Sequence, residues 1–242
     1  MQIFSTLSKL IDGRKTPQSI KYTCNQVFED IDLTGKNLLE IGAGEGYMSA
    51  YAAQYANHVT AIEPEGQGST KGYSSTIDKI HKALSADNFE VVHDTIQNYS
   101  CSERKYDIIL MHNSVNHLDE SMCISLKESD DSRRGYSMIF EKISNMMFAG
   151  AKMIIIDCSR YNFFQLLHVK HPICPQIEWN KHQSPETWAS ILEPLEFKKD
   201  SVSWLVPRPL SKLSFVLSSK YAAYFLFSQF RLVMSYCPAI QT

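Results

Sequence analysis

The stretch Leu38-Leu39-Glu40-Ile41-Gly42-Ala43-Gly44-Glu45-Gly46-Tyr47 joins an apolar run directly to a glycine-rich turn. Glycines permit a tight turn and allow a ligand to approach the backbone closely. Open α/β sheets bind ligands at turns of this kind, where they follow the carboxyl end of a strand. The stretch therefore predicts a buried strand, a ligand-binding turn and a helix through residues 48–55.

The chemistry of this turn narrows the class of ligand. A phosphate-binding P-loop places Lys and Ser or Thr after its last glycine. Here the Gly35-Lys36 pair precedes the strand and is followed by Asn37. A dinucleotide fingerprint requires a small residue where Tyr47 stands, because the helix packs closely there under a pyrophosphate. The G-x-G-x-G spacing favours a ligand with a nucleoside and no pyrophosphate.

A second apolar run, residues 58–62, ends in the carboxylate of Glu63. An acid about 20 residues after the first glycine accepts hydrogen bonds from ribose hydroxyls in nucleotide-binding sheets. Glu63 is a better candidate than Glu65, since Glu63 closes the apolar run and Glu65 lies beyond Pro64. We therefore expect Glu63 to bind a ribose.

Short apolar runs recur along the chain, and the segments between them are long enough to form helices. Apolar strands that alternate with helices predict a parallel sheet covered on both faces, that is, a doubly wound α/β fold with right-handed crossovers. No repeat or Pro/Gly linker marks a domain boundary, so one domain is expected. The runs are residues 37–41, 58–62, 89–93, 106–112 and 152–157.

The two ends of the chain have other patterns. Helical spacing of apolar residues over 1–35 predicts an N-terminal helical layer that caps the site. Ser184, Pro185 and Glu186 are typical of a helix start, as N-cap, first-turn proline and first-turn acid. The remainder predicts strands over about 197–206 and 230–236, with a helical segment over 211–227 between them. These two strands are expected to form an antiparallel pair at the edge of the sheet.

Composition excludes several classes of protein. The 242 residues have a formal charge of −2, with 44% hydrophobic and 21% charged residues. A dedicated nucleic-acid binder needs a surplus of Lys and Arg, so nucleic acid is not expected as a partner. The six cysteines form no C-x-x-C pair, which favours free thiols over zinc or disulfides.

Location and assembly are also constrained by the sequence. The first residues lack the pattern of a signal peptide, and the most apolar run, 221–227, is far shorter than a bilayer span. We expect a cytoplasmic protein without a transmembrane segment, either a monomer or a homodimer.

Five ordered motifs resemble those of class I S-adenosylmethionine-dependent methyltransferases. The resemblance is clear over about 36–157. The motifs are Glu40-Ile41-Gly42-Ala43-Gly44-Glu45-Gly46, Ala61-Ile62-Glu63-Pro64, Val91-Val92-His93-Asp94-Thr95, Tyr106-Asp107-Ile108-Ile109-Leu110-Met111-His112-Asn113 and Lys152-Met153-Ile154-Ile155-Ile156-Asp157.

The resemblance implies a fold and a cofactor. The fold is a Rossmann-like, mostly parallel seven-stranded sheet with an antiparallel last strand over 36–242, an N-terminal helical cap over 1–35 and an acceptor-pocket insertion around 158–186. The cofactor is S-adenosylmethionine, released as S-adenosylhomocysteine. The expected cofactor-binding residues are Glu40, Gly42, Ala43, Gly44, Gly46, Glu63, Asp94, Thr95 and Asn113. No metal is expected, because His168, His171 and His182 have no carboxylate at ligand spacing.

The sequence departs from the family pattern at two places. The segment 65–76 is longer and more polar than the usual link after the second strand, so the helix that covers the ligand is expected to start late. Glu196 stands before the sixth strand, where relatives often have glycine.

Methyl transfer depends mainly on in-line positioning of the reactants, aided in some cases by a base. His117, after the fourth motif, is the candidate base, because imidazole accepts a proton at neutral pH. The alternative is that His117 only orders its loop. Tyr161, Asn162 and His182 lie in an aromatic-rich segment after the fifth strand and are the expected substrate contacts.

The segment after Pro207 has a second pattern. Its apolar residues are predicted to share one helical stripe, with Arg208, Lys212, Lys220 and Arg231 nearby. Core or subunit contact is the favoured interpretation of such a stripe, and contact with an anionic membrane surface is the alternative. The stripe residues are Leu213, Leu217, Tyr221, Tyr224 and Phe225.

Three functions are consistent with these features. The first is transfer of a methyl group to an oxygen or nitrogen atom of a small metabolite. The second is a methyltransferase that acts on a lipid, a quinone or a membrane-linked glycan. The third is a methyltransferase-like binding subunit without catalysis.

Overall fold

The computed structural model describes residues 2–11, 15–64, 72–100, 104–172 and 174–239. Within these ranges the chain forms one seven-stranded sheet in the order β3-β2-β1-β4-β5-β7-β6. All neighbours pair in parallel except at β7, which is antiparallel to both β5 and β6. The strands are β1 (Asn37–Ile41), β2 (His58–Ile62), β3 (Phe89–Val92), β4 (Tyr106–His112), β5 (Met147–Cys158), β6 (Phe197–Trp204) and β7 (Gln229–Tyr236).

This topology confirms the expected Rossmann-like, mostly parallel sheet with an antiparallel last strand. The central strands are buried on both faces, as parallel sheets require. On β1, for example, Leu39 and Ile41 belong to one apolar core, and Leu38 belongs to the core on the opposite face.

Helices cover both faces of the sheet. The helices α1 to α4 pack on one core, and α5, α6 and α8 contribute to the other. Short 3₁₀ helices cover 115–117, 179–181, 193–195 and 208–213. The α-helices are α1 (Gln2–Leu10), α2 (Pro17–Val27), α3 (Tyr47–Ala52), α4 (Tyr73–Leu84), α5 (Glu120–Ser125), α6 (Asp130–Ser144), α7 (Phe163–Leu166), α8 (Pro185–Leu192), α9 (Ser214–Leu217) and α10 (Lys220–Phe225).

The predicted N-terminal helical layer is present as α1 and α2. The Thr16 side chain caps α2 by accepting a hydrogen bond from the Ser19 amide, and Pro17 occupies the first turn. Ile20 and Cys24 of α2 are buried against the sheet. The division into a cap over 1–35 and a larger unit over 36–242 stays a prediction.

The closing strands form the predicted antiparallel pair. The strand β7 lies between β5 and the edge strand β6, so it contacts both. Before β6, Glu196 adopts a left-handed conformation with φ of 65°. This backbone region favours glycine, so the conformation of Glu196 is the one expected where the family resemblance implies a glycine.

The helical segment after Pro207 differs from the prediction. Three short pieces replace one continuous helix, and the chain between α9 and α10 bends at Ser218 and Ser219. Of the stripe residues, Leu213, Tyr221 and Phe225 are exposed. The interpretation of the stripe as core is therefore wrong for these three residues, whereas a subunit contact stays a prediction. In the part of the chain that the structure describes, no helix is both long and apolar enough to cross a bilayer.

Candidate functional site

A cavity of about 480 Å³ opens at the carboxyl ends of β1, β2 and β4. This volume lies within the usual range for small-molecule sites. Predicted ligand residues that line it are Gly42, Ala43, Gly44, Glu63, Thr95, Asn113 and His117.

The glycine turn is shaped by close neighbours. The amides of Gly42 and Ala43 both donate hydrogen bonds to the Ile62 carbonyl at 2.9 Å, which holds the turn against the end of β2. Gly42 has φ of 72°, and a Cβ atom there would lie 2.4 Å from Cβ of Ser114. Position 42 requires glycine because its φ is positive and because Ser114 leaves no space for a Cβ atom.

Gly46 has a structural part in the turn. It begins α3 with φ of 78°, and a Cβ atom there would lie 2.4 Å from Cγ1 of Ile77 on α4. Gly46 does not line the cavity. Its contribution is close helix packing behind the turn, and a direct ligand contact is not indicated.

Glu63 faces the turn from the end of β2. Its side chain is on the cavity wall, and the residue is 3% exposed. Its Oε2 accepts a hydrogen bond of 2.7 Å from the Gly44 amide. The predicted pair of glycine turn and carboxylate is thus in direct contact.

Glu40 lies beneath the turn and not on the cavity wall. Its Oε2 accepts a hydrogen bond of 2.5 Å from the Ser49 hydroxyl of α3. Burial raises the Glu40 pKa to about 8, because the interior disfavours the charged carboxylate. The geometry assigns Glu40 to support of the turn, in place of the expected contact with the cofactor.

The third motif contributes its loop to the wall. Thr95, Ile96 and Gln97 line the cavity, whereas Asp94 does not. Oδ1 of Asp94 accepts hydrogen bonds from the Thr95 amide at 2.7 Å and from Nδ2 of Asn98 at 3.0 Å, and these bonds lower its pKa. Asp94 therefore shapes the loop that presents Thr95.

The end of β4 forms the opposite wall. Asn113 has φ of 55° and donates its amide to the Ile156 carbonyl of β5 at 2.7 Å. Ser114 donates its hydroxyl to the Ile41 carbonyl at 2.5 Å. Burial, with Lys15 nearby, lowers the His112 pKa to about 4, so this imidazole is neutral at neutral pH.

His117 lies on the cavity wall and contacts a carboxylate. Its Nδ1 lies 2.7 Å from Oε1 of Glu120, and the other oxygen of Glu120 lies 2.9 Å from Nζ of Lys181. Hydrogen bonds from Lys181 and His117 lower the Glu120 pKa. A carboxylate at Nδ1 selects the tautomer whose proton is on Nδ1. In this tautomer the lone pair of Nε2 accepts a hydrogen bond of 3.4 Å from Nδ2 of Asn116 and is the atom that can take up a proton.

The three expected substrate contacts do not line this cavity. Tyr161 is exposed in a separate groove, where Nζ of Lys127 lies 4.1 Å from its ring centre. Asn162 is 1% exposed, and its side chain caps α7 and donates to the Ser159 carbonyl. Nδ1 of His182 lies 2.7 Å from Oδ1 of buried Asp157.

The structure therefore corrects the expectation for Asn162. Its amide oxygen accepts from the Gln165 amide at 3.0 Å, and its amide nitrogen donates at 2.9 Å, so both ends of the side chain bind its own segment. Tyr161 and His182 keep polar atoms for other partners, and their role as substrate contacts stays a prediction.

Several further residues line the cavity that the sequence patterns do not predict. Lys15, from the segment between α1 and α2, forms an ion pair with Glu45 in the glycine turn and lies 4.9 Å from the Tyr47 ring centre. Tyr73 and Gln97 also line the cavity. Glu45, an acid between two glycines, was the available signal for a cationic partner, but nothing local pointed to Lys15.

Metal binding finds no support in the described ranges. No group of three or more His, Cys, Asp or Glu side chains is placed there to hold an ion.

A family model described as a methyltransferase domain matches residues 19–201. The chain therefore belongs to this methyltransferase family, and the expected class, an S-adenosylmethionine-dependent methyltransferase enzyme of class I, is confirmed. No curated relative matches the chain.

Solved structures support the same fold. A SAM-dependent methyltransferase from Aquifex aeolicus is 15% identical with a TM-score of 0.60, covering 95% of this chain and 98% of that chain. The plantazolicin methyltransferase BpumL, in complex with a pentazolic analogue and SAH, is 14% identical with a TM-score of 0.58, covering 96% and 90%. The magnesium protoporphyrin IX methyltransferase of Synechocystis PCC 6803, with bound SAH, is 13% identical with a TM-score of 0.56, covering 90% and 81%.

Proposed function

We propose that this protein transfers a methyl group from S-adenosylmethionine to an oxygen or nitrogen atom of a small organic acceptor. One observation carries the proposal: the glycine turn, the Glu63 carboxylate and the paired imidazole of His117 all line one cavity. The first two features suit the cofactor, and the third suits removal of a proton from an acceptor.

The residues present fit the cofactor. The close packing of Gly42 on Ser114 leaves backbone, and no side chain, on that part of the wall. Glu63 on the cavity wall is the proposed acceptor of hydrogen bonds from the ribose hydroxyls, and Thr95 and Gln97 border the space proposed for the nucleoside base. When bound, S-adenosylmethionine supplies a methyl group that is electrophilic because it is attached to a sulfonium sulfur.

His117 is the proposed base, and Glu120 is the residue that positions it. In the tautomer that Glu120 favours, Nε2 of His117 accepts the proton of an acceptor hydroxyl or ammonium group. The carboxylate of Glu120 stabilises the imidazolium that results. Lys181 shares this carboxylate and limits its movement.

Similar structures support an organic acceptor without identifying it. One is a magnesium protoporphyrin IX methyltransferase and another is a plantazolicin methyltransferase, so the fold serves acceptors of different chemistry. The acceptor-pocket role of 158–186, the cytoplasmic location and the monomeric or homodimeric state belong to the proposal as predictions.

The first experiment is a calorimetric titration of the purified protein with S-adenosylhomocysteine. Saturable binding is expected. Absence of heat, together with absence of a co-purified nucleoside, would contradict the proposal at its first step. Labelled S-adenosylmethionine is then offered with pools of hydroxyl- and amine-bearing metabolites. Cofactor binding with no transfer to any pool would favour the non-catalytic binding subunit.

His117→Ala separates the two interpretations of this histidine. As a base, its loss lowers turnover by about 10²- to 10⁴-fold and leaves S-adenosylhomocysteine affinity unchanged. His93→Ala is the matched control, because His93 is an imidazole paired with Asp78 away from the cavity. Equal turnover in the two variants would leave His117 with a loop-ordering role only.

A further inference from the structure

We propose that one face of this protein docks on an anionic lipid surface. The face consists of residues 159–172 and 205–228, and we call it the rim face. The proposal goes beyond the methyltransferase reaction and does not depend on it.

The two segments form a continuous surface at the carboxyl edge of the sheet. Residues 159–172 follow β5, and 205–228 connect β6 to β7, whose pairing makes β5 and β6 run in the same direction. The Ser159 amide donates to the Ser228 carbonyl at 2.9 Å. The rings of Phe163 in α7 and Phe225 in α10 pack with their centres 5.5 Å apart.

The rim face exposes an unusual amount of apolar side chain. Among the described residues, nine of the fourteen large apolar side chains that are exposed lie on it. Phe215 is 83% exposed and Tyr221 is 85% exposed. A contiguous apolar surface of this kind marks an interaction site, because scattered single residues would not concentrate in two adjacent segments. Other members are Leu166, Leu167, Val216 and Phe225.

The charge of the rim face identifies the chemistry of its partner. Its two segments contain five Lys or Arg residues and no Asp or Glu, so the rest of the chain has a formal charge of −7 against a total of −2. The cations are Arg160, Lys170, Arg208, Lys212 and Lys220.

Partners of these cations vary. Nζ of Lys220 is paired with Glu186 of α8 at 2.7 Å, and the Arg160 guanidinium donates to the Asn180 carbonyl. Arg208 donates to the Thr16 hydroxyl at 3.3 Å. Among the residues that the structure describes, Glu186 forms an ion pair with the rim face and offsets one of its five charges.

A mixture of exposed aromatic and basic side chains fits the headgroup region of an anionic bilayer. A second copy of this chain fits less well. In a twofold contact the same patch faces itself, so two surfaces that each contain five cations would be opposed. Charge complementarity thus favours anionic lipid over self-association.

The rim face adjoins the cavity. Gln229, the residue after the rim face, donates from Nε2 to Oδ1 of Asn113 at 3.4 Å, and Asn113 lies on the cavity wall. Docking would hold this wall close to the lipid headgroups.

Vesicle sedimentation tests the proposal. The full chain is mixed with phosphatidylcholine vesicles that contain phosphatidylglycerol, or with phosphatidylcholine vesicles alone, at low and high salt. We expect co-sedimentation with the anionic vesicles at low salt and several-fold less at high salt. No co-sedimentation at low salt, or equal binding to both kinds of vesicle, would overturn the proposal.

Two pairs of variants identify the surface. The double variant Phe215→Ser/Tyr221→Ser removes two exposed apolar side chains from the rim face. It is expected to lower binding to anionic vesicles by about tenfold. Met138→Ser, an exposed apolar residue on α6 outside the rim face, is the control and should bind like wild type.

The second pair reverses charge. Lys170→Glu with Lys212→Glu is expected to lower binding more than Lys198→Glu with Lys199→Glu, which makes the same charge change on the edge strand β6. Equal losses in both pairs would mean that net charge, and not the rim face, determines binding.

Light scattering and calorimetry complete the test. Light scattering measures whether the protein is a dimer. If the wild type is a dimer, does not bind vesicles, and becomes a monomer in the Phe215/Tyr221 variant, the rim face binds a second copy and the lipid proposal is overturned. Because vesicle binding needs no cofactor, its failure is distinct from failure to bind S-adenosylhomocysteine.

Discussion

Two regions of the same sheet edge use their polar groups in different ways. In the turn after β1 and the end of β2, the polar groups of Gly44 and Glu63 lie on a cavity wall. In the segment after β5, Asn162 caps a helix and His182 binds the buried carboxylate of Asp157. In the first region the polar groups pair with each other and also border the cavity. In the second region they only hold their own segment together.

This difference predicts which substitutions change ligand affinity and which change only the free energy of unfolding. A polar group on the cavity wall can also contact a ligand, so its removal should lower affinity as well as stability. A buried polar group leaves an unsatisfied partner when it is removed, so its loss should cost stability. Four substitutions or titrations test this contrast.

The largest expected effect is on stability, from Asp157→Ala. Asp157 is fully buried, and its Oδ1 accepts from the Cys158 amide at 2.8 Å and contacts His182. Removal of the carboxylate leaves both groups unpaired and should lower the free energy of unfolding by about 3 to 5 kcal/mol. Urea unfolding without cofactor measures this change. A loss below about 1 kcal/mol would show that the segment does not depend on this carboxylate.

Gly42→Ala is expected to lower both the stability of the fold and the affinity for the ligand. Its left-handed backbone and the contact with Ser114 should together lower unfolding free energy by about 2 to 4 kcal/mol and weaken S-adenosylhomocysteine binding. Gly35→Ala is the control, since Gly35 has φ of 67° but no heavy atom within 4 Å of an added Cβ. Equal losses at 35 and 42 would mean that strain alone, and not close packing, accounts for the turn.

Glu63→Ala should weaken ligand binding and also lower the unfolding free energy by about 1 to 3 kcal/mol, because the Gly44 amide loses its acceptor. Loss of the ribose hydrogen bonds is expected to weaken S-adenosylhomocysteine binding by about 1 to 3 kcal/mol, roughly 5- to 150-fold. Glu90→Ala, which removes an exposed carboxylate from β3, should bind like wild type. Calorimetry compares the two, and an unchanged affinity in Glu63→Ala would place the ribose elsewhere.

The smallest expected effect concerns Glu40 and pH. Its folded pKa is raised from 4.5 to about 8, so the unfolded chain loses this proton first and stability falls as pH rises from about 4.5 through 8. Over pH 6.5 to 8, wild type should lose about 2 kcal/mol more than Glu40→Gln.

The chosen pH range isolates Glu40 from His112. The His112 pKa is lowered from 6.5 to about 4, so its stabilising contribution is complete above pH 6.5 and is lost only as pH falls toward 4. Thermal or urea unfolding of both proteins measures the slopes. Parallel slopes for wild type and Glu40→Gln would contradict a buried, neutral Glu40.

The sequence patterns predict most accurately the strands that are buried on both faces of the sheet. The runs that became β1, β2 and β4 were placed with their observed bounds, because apolar residues fill both sides of a parallel strand. The start of β5 at Met147 was missed because residues 148–150 are exposed and interrupt the apolar pattern.

Side-chain roles in loops were harder to predict. Lys15 reaches the turn across a distance in sequence that no local pattern encodes. The substrate role expected of Asn162 rests on its loop position, and a loop has no period that shows which way its side chains point. Core or subunit contact is expected of the stripe after Pro207 because helical spacing assumes a continuous helix, and the bend at Ser218 and Ser219 interrupts that helix.

The position of β7 has a consequence for synthesis. Residues 229–236 insert between β5 and β6, although both of those strands leave the ribosome earlier. Until β7 emerges, one edge of β5 stays unpaired and β6 has no neighbour, a state in which open strand edges favour wrong partners. The strands β1 to β4, which border the proposed cofactor site, are made well before then, so a ligand bound during translation would stabilise the nascent chain while its last strand is still being made.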